Sequence, residues 1–305
     1  MKDLNMKALN EFGISGVNSI IRIEDKEMWL IDDKYFMKTY VNSNCLQRVL
    51  LMYDKLYHAG VPVAVYNKTK TGELYVKFDD LYYTLVNKAA GSHIDYLKEA
   101  DLFSFGQDTA KLHNGLKELT AVIKIQCEEI NVDFIKQLDG WKKEIKDKNL
   151  DISKEIIDYC MSFDELYYKL PRHIIHRDLH GGNMLFENGK LSAFIDFDIS
   201  EINARLFDIC YTMDFGVGNN ISDEVTEKWL ESLKIFLSGY NSVSELTNEE
   251  IESLPYMFVS VQLLTTAFFS HYGKPKDFVD RYINYLNWLY DNRNRFFFSR
   301  QDICN

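Results

Sequence analysis

A chain of 305 residues can bury a substantial core and suggests one large domain or two lobes. Its 46% hydrophobic and 27% charged residues suit a globular protein, no apolar run reaches bilayer-spanning length, and Met1–Phe12 is a charged amphipathic stretch without a secretion signal's apolar centre. A net charge of −11 argues against nucleic acid as a partner, and the five dispersed cysteines (Cys45, Cys127, Cys160, Cys210, Cys304) read as free thiols, so a cytoplasmic protein engaging neither nucleic acid nor membrane is expected.

The first part of the chain is rich in short strands. Ser19–Ile23, Met28–Ile31 and Tyr35–Tyr40 are apolar or alternating runs broken by Glu24-Asp25-Lys26 and Asp32-Asp33. Gly13, Gly16 and Asn18 precede them as a turn that could lie over phosphates or be a turn only. Leu46–His58 repeats apolar residues at helical spacing and stops at Gly60-Val61-Pro62. Val63–Tyr66, Leu74–Phe78 and Leu81–Val86 read as further strands. After Gly91 helical periodicity takes over in Asp101–Leu119, Ile130–Trp141, Lys154–Leu170 and most of the chain beyond Asp223. Tyr256–Phe269 reads as a central core helix, and Phe278, Tyr282, Tyr285, Leu286 and Leu289 as a core stripe on the last helix. Between Ile221 and Glu252 eight acids face two lysines; this is a solvated helix face or a wall that attracts a cationic substrate.

The chemistry sits in an interruption of the helical half. His176-Arg177-Asp178-Leu179-His180-Gly181-Gly182-Asn183 is followed by Phe194-Ile195-Asp196-Phe197-Asp198, with short buried strands predicted at Ile174-Ile175, Met184–Phe186 and Leu191–Ile195. An acid, an amide five positions on and a second acid thirteen beyond are the parts that phosphoryl transfer needs. His176 and His180 have the spacing of zinc ligands, but Arg177 stands where a zinc protease needs glutamate, and Gly181-Gly182 stops a helix.

Together with Lys38 on the Tyr35–Tyr40 strand, these residues resemble the aminoglycoside phosphotransferase, choline kinase and homoserine kinase superfamily. The likeness spans most of the chain, and Gly239–Pro255 looks most like homoserine-kinase-type members. It implies an α+β protein-kinase-like fold, with an N-terminal antiparallel sheet lobe (residues 1–88) that binds nucleotide and a larger, mainly helical lobe (89–305) that carries catalysis and acceptor. It also implies ATP and Mg2+ as cofactors and a small-molecule acceptor. By likeness Asp178 is the catalytic base with His180 two positions on, Asn183, Asp196 and Asp198 serve the metal, and Lys38 and the hinge residues Val86, Asn87 and Ala89 bind the nucleotide. Asp208 resembles an acid that braces the catalytic loop from a helix.

Two departures sharpen the reading. Asp196 and Asp208 lie too close for a peptide-cradling activation segment, which favours a small acceptor over a protein. The helix glutamate that should hold Lys38 is replaced by Val49, so Lys38 is expected to turn to Asp196 or to be poorly ordered, with no acid of Leu46–His58 touching it. The function implied is phosphorylation of a hydroxyl on a small metabolite or aminoglycoside-type amine. The alternative is a kinase-fold nucleotide-binding or structural protein with little turnover, like spore-coat relatives.

Overall fold

A computed structural model of the chain describes residues 2–23, 27–126, 130–214 and 222–303. The expected break at Glu24-Asp25-Lys26 and the thiols of Cys127 and Cys304 lie outside the described residues; Cys45, Cys160 and Cys210 are free thiols.

Helix α1 (Lys2–Glu11) leads into a sheet of β1 (Ile20–Arg22), β2 (Met28–Ile31) and β3 (Tyr35–Tyr40). Helix α2 (Ser43–His58) follows, then β4 (Val76–Phe78) and β5 (Leu81–Asn87). The sheet is antiparallel throughout, in the order β1-β2-β3-β5-β4. Strand periodicity of two decides the important orientation: Met37 goes into a core shared with Ala8, Leu9, Trp29 and Leu85, which sends Lys38 to the opposite face. On α2, Leu46, Val49, Leu50, Tyr53 and Leu56 are buried as the periodicity requires, and Asn42 caps the helix by accepting from the Asn44 and Cys45 amides. The expected strand Val63–Tyr66 is two isolated bridges, Val63 with Phe194 and Tyr66 with Val86. The segment divides its pairing, because Pro62 accepts from the Phe194 amide while Val65 accepts from that of Asn87. Gly13 and Gly16 are turn glycines after α1, at φ 77° and 68°.

The larger part begins with α3 (Tyr96–Glu99), α4 (Leu102–Gln126), α5 (Phe134–Asp147), α6 (Lys154–Met161) and α7 (Asp164–Tyr167). The expected single helix Lys154–Leu170 is thus split at Ser162-Phe163; the Ser162 hydroxyl bonds back to the Tyr159 carbonyl and supports the break. Then come β6 (Arg172–Ile175), β7 (Met184–Glu187), β8 (Lys190–Phe194) and β9 (Glu201–Ala204), paired antiparallel as β6 with β9 and β7 with β8. Strand β9 has no alternating pattern because all four residues are buried, with Glu201 and Asn203 satisfied by Arg177 and Tyr167. Helices α8 (Leu206–Asp214), α9 (Asp223–Val243), α10 (Asn248–His271) and α11 (Lys276–Asn292) complete the chain's main elements. Contrary to the sequence reading, α10 is long and apolar enough to cross a bilayer by length and composition, but 78% of its apolar window is buried inside the protein, where it packs on α5, α8 and α11.

Candidate active site

The loop 176–183 is held open by the protein beneath it. Asp208, fully buried on α8, accepts the amide hydrogens of His176 (2.7 Å) and Arg177 (2.8 Å). His113 of α4 joins Asp208 at 3.1 Å through Nε2, while its Nδ1 meets the Tyr240 hydroxyl at 2.7 Å. Burial raises the Asp208 carboxyl to about 6 and lowers His113 to about 3, so the ring is neutral, donating to Asp208 and accepting from Tyr240. This anchoring keeps Arg177 at φ 76°, a left-handed backbone that a large side chain rarely adopts.

Above it, the Asp178 carboxylate takes the Asn183 amide at 2.9 Å, the Tyr211 hydroxyl at 3.4 Å and faces His180 Nε2 at 3.5 Å. Burial acts to raise its pKa, but the His180 hydrogen bond and neighbouring positive charge outweigh it and hold the carboxyl below the ordinary aspartate value. His180 Nδ1 accepts the Gly182 amide at 2.9 Å. A Cβ on Gly182 would lie 2.6 Å from that ring, which is why glycine stands there.

The second acidic segment turns the other way. Asp196 sits at φ 68°, its amide bonded to the buried Tyr53 hydroxyl of α2 at 3.1 Å. His176 ties the two segments together, its Nε2 lying 2.9 Å from the Ile195 carbonyl. Lys38 lies 3.0 Å from Asp196 and 2.5 Å from Asp198. Burial alone would depress the lysine, but both carboxylates prevail and its pKa is raised, so it is charged. Asp198 also receives the Tyr40 hydroxyl at 3.2 Å, and its carbonyl accepts from Arg48 at 2.6 Å. No acid of α2 reaches Lys38: Asp54 lies against His58, and Val49 is in the core. Sequence reasoning missed Arg48 and Tyr53, which brace the Asp196–Asp198 turn from α2; Tyr53 gave the signal of a core stripe residue and nothing more.

These groups line two cavities. A cleft of about 640 Å³ under the sheet is lined by Lys38, Asn183, Asp196 and Asp198 at one end and by Val86, Asn87 and Ala89 at the other. The chain crosses between lobes at Gly91, where φ is 100° and a Cβ would fall 2.6 Å from the Phe186 carbonyl. Gly13 and Gly16 do not line this cleft. Among the described residues, no group of three or more His, Cys, Asp or Glu is arranged to hold a metal. The available donors are the Asp196 and Asp198 carboxylates and the Asn183 amide oxygen, which points away from Asp178 because the amide nitrogen points toward it. Such hard oxygen donors fit a magnesium-type ion that takes its remaining ligands from phosphates.

The second cavity, of about 580 Å³, holds Asp178 and His180 with Arg177, Glu201 and Tyr211, walled by α10 and α11. Two expectations are corrected here. Phe268, Phe269, Phe278 and Tyr282 line this cavity instead of filling a core, because the last turn of α10 and the first turns of α11 splay around Gly273; only Leu286 and Leu289 of the expected stripe are fully buried. The acids after Ile221 are not its wall: Glu224, Glu227, Glu231, Glu249 and Glu252 face solvent, and Glu250 is buried on Arg205 at 2.6 Å. The Asp223 side chain lies outside the described residues.

Residues 28–246 match the model of the phosphotransferase enzyme family, more than half of the chain. The chain belongs to that family. Among its relatives is a homoserine kinase of Methylobacillus glycogenes, 23% identical over 214 residues, covering 70% of this chain and 64% of that protein. A homoserine kinase of Zymomonas mobilis is 23% identical over 253 residues, covering 81% and 74%. Thus the chain spans somewhat less than two thirds of the length of the first of these relatives. In fold it resembles a microcompartment-associated aminopropanol kinase (TM-score 0.69, 17% identity, 100% and 99% covered). It also resembles an amicoumacin kinase in complex with AMP-PNP, Ca2+ and Ami (TM-score 0.68, 16% identity, 95% and 93% covered). The family assignment accords with the two-part architecture described above, a sheet lobe followed by a larger helical part.

Proposed function

We propose that the protein is an ATP- and Mg2+-dependent small-molecule kinase that phosphorylates a hydroxyl group. One observation carries this reading: Asp178 and Asn183 are bonded to each other at 2.9 Å, yet Asn183 lines the cleft that contains Lys38 and Asp196, and Asp178 lines the second cavity. A nucleotide in the first and an alcohol in the second would meet at that bond, which is the juxtaposition that phosphoryl transfer requires.

Within this scheme the adenine lies against Val86, Asn87 and Ala89. The Asn87 and Lys88 amides are already bonded to Val65 and Lys34, which puts the adenine edge at Ala89. Lys38 leaves Asp196 and Asp198 to hold phosphate oxygens. Asn183 and Asp196, with Asp198 as auxiliary acid, are the residues that would hold Mg2+, which would supply charge neutralisation at the phosphates. Asp178 accepts the acceptor's hydroxyl proton; its carboxyl, kept below the ordinary value, is ionised and ready at neutral pH. Tyr211 and His180 keep the carboxylate oriented.

The low-turnover alternative is not favoured, since the relatives found are kinases of small molecules. A coupled ADP-release screen against homoserine, choline, methylthioribose and aminoglycosides tests the reading. Calorimetry with MgATP accompanies it. Absence of both MgATP binding and acceptor-dependent ADP release would reject it.

A further inference from the structure

The walls of the Asp178 cavity carry chemistry that narrows the acceptor, given the kinase reading on which this inference rests. Its rim is apolar: Ile199 is 57% exposed, Phe268 41% and, beside them, Tyr272 66%. Its far wall is an aromatic cluster in which Phe269, Phe278 and Tyr282 stand 4.9–5.1 Å apart, centroid to centroid. Rings in that contact leave no space between them for an ammonium group, and the ring of Phe278 already receives two of the protein's own cations, Lys274 at 5.9 Å and Arg281 at 5.3 Å. A polycationic guest would meet repulsion where an aromatic cage would have offered attraction.

The charges facing the cavity lead to the same conclusion. Glu201 is committed to Arg177 at 3.0 Å and to Asn203 at 2.8 Å, and Arg177 additionally stacks on Phe207 at 4.1 Å. Asp178 is the base and His180 is turned to it. Lys274 is left: it lies on the turn between α10 and α11, its backbone fixed by an amide bond to the Phe269 carbonyl at 3.0 Å, and among the described residues no carboxylate lies within ion-pair distance of its ammonium. A single fixed cation beside a large apolar wall selects an amphiphilic anion.

We propose that the acceptor is an alcohol with an apolar, ring-sized body and a carboxylate remote from the reacting hydroxyl. The body lies on Phe269, Phe278 and Tyr282, the carboxylate meets Lys274, and the hydroxyl meets Asp178. The hydroxyl oxygen forms the new bond to the γ-phosphorus of ATP as the bond from that phosphorus to the β–γ bridging oxygen breaks. The electron pair leaves with ADP, and the hydroxyl proton passes to Asp178.

The test compares 4-(hydroxymethyl)phenylacetate with its neutral analogue 4-ethylbenzyl alcohol, with the cation 4-(2-aminoethyl)benzyl alcohol, and with choline and kanamycin, by ADP release and mass detection of the phosphorylated product. kcat/KM for the hydroxymethyl-phenylacetate should exceed that for the aminoethyl alcohol at least tenfold. Lys274→Glu should reduce the preference for the carboxylate over the neutral alcohol by about fivefold or more, the scale of one partly exposed charge contact. Better turnover of the aminoethyl alcohol, choline or kanamycin, a preference unmoved by Lys274→Glu, or no turnover of any aromatic alcohol would each overturn the proposal. MgATP binding measured on the same protein separates the two levels. If binding persists and Asp178-dependent transfer goes to a cationic acceptor, only the acceptor class falls; if MgATP does not bind, the kinase reading falls with it.

Discussion

Replacing Asp178 by asparagine tests the proposed base with little disturbance of its surroundings. The carboxylate's neighbours are ones that an amide can serve equally well: the carbonyl oxygen can take the Asn183 amide and face His180, and the new NH2 group can donate to the Tyr211 hydroxyl oxygen, reversing the present bond. The backbone carbonyl at 178 keeps its own bond from Asn183. The side chain is also partly exposed, so the change in folding stability should stay within about 1 kcal/mol. Loss of the proposed acceptor of the hydroxyl proton should instead lower kcat by about 10² to 10⁴, which corresponds to about 3 to 5 kcal/mol of transition-state stabilisation. Steady-state ADP release with any accepted alcohol gives kcat, calorimetry gives the Kd for MgATP, and urea unfolding gives stability. A variant with kcat within tenfold of the parent would refute the assignment. A large loss accompanied by an equally large loss of stability would show that the amide collapses the loop, contrary to the bonding argued here.

Asp196→Ala should weaken binding of MgATP far more than binding of metal-free ATP, because the carboxylate's proposed role is to neutralise the ion; equal losses by calorimetry would count against it. Only the 197–200 turn, β9 and the start of α8 separate Asp196 from Asp208, so label from γ-phosphate-labelled ATP should enter small molecules of a cell extract, and labelling of casein alone would contradict this. Glu250→Ala strands the buried Arg205 guanidinium, now held at 2.6 Å and 2.8 Å by that carboxylate, and should cost about 3–5 kcal/mol in urea unfolding; a loss below 1 kcal/mol would show that the pair is dispensable. Acidification gives a signed test. Burial lowers His113 to about 3 and His173 to about 4 and lowers His176 as well, so below pH 6.5 each of these rings contributes a loss of stability as pH falls, because the unfolded chain binds protons that the folded chain refuses. The buried carboxyls of Asp208, raised to about 6, Asp214 and Glu201 act in the opposite direction, so the test isolates one ring. Between pH 7 and pH 5, His173→Gln should remove a loss of up to one proton's slope relative to the parent; an unchanged slope would be inconsistent with a buried neutral ring.

What the sequence revealed and what it hid follow one physical division. Residues whose role depends on near neighbours were legible: the stripe on α2, the alternation that turns Lys38 away from Met37, the spacing of Asp178, Asn183 and Asp196. Residues whose role depends on distant partners were not. Strand β9 shows no period because both of its faces are covered. The Val63–Tyr66 segment has strand composition, yet its backbone groups are divided between Phe194 and Val86. Phe269, Phe278 and Tyr282 have core composition and helical spacing, and only the splay of two helices around Gly273 makes them a cavity wall. The charge run after Ile221 says nothing by itself about facing; Glu224, Glu227, Glu231, Glu245, Glu249 and Glu252 are exposed, and Glu250 is buried on Arg205.

The missing helix glutamate shows how the site can remain organised without it. An acid on α2 would hold Lys38 directly; here α2 instead supplies Arg48 to the Asp198 carbonyl and Tyr53 to the Asp196 amide, so the helix positions the acids and the acids position the lysine. The lysine is thereby charged and satisfied without nucleotide, avoiding the penalty of an isolated buried cation. The arrangement has a consequence for ligand order. Freed of Lys38, the Asp196 and Asp198 carboxylates would face bare phosphates unfavourably and a divalent cation favourably. With nucleotide and metal bound, Lys38 would exchange the carboxylates for phosphate oxygens and Asp196 and Asp198 would hold the ion, so neither group would be left unpaired. Metal-free ATP offers the lysine a partner but leaves Asp196 and Asp198 facing its phosphates. On the proposed scheme the same cluster that compensates for Val49 would make nucleotide binding strongly dependent on the metal, the property that Asp196→Ala is expected to abolish.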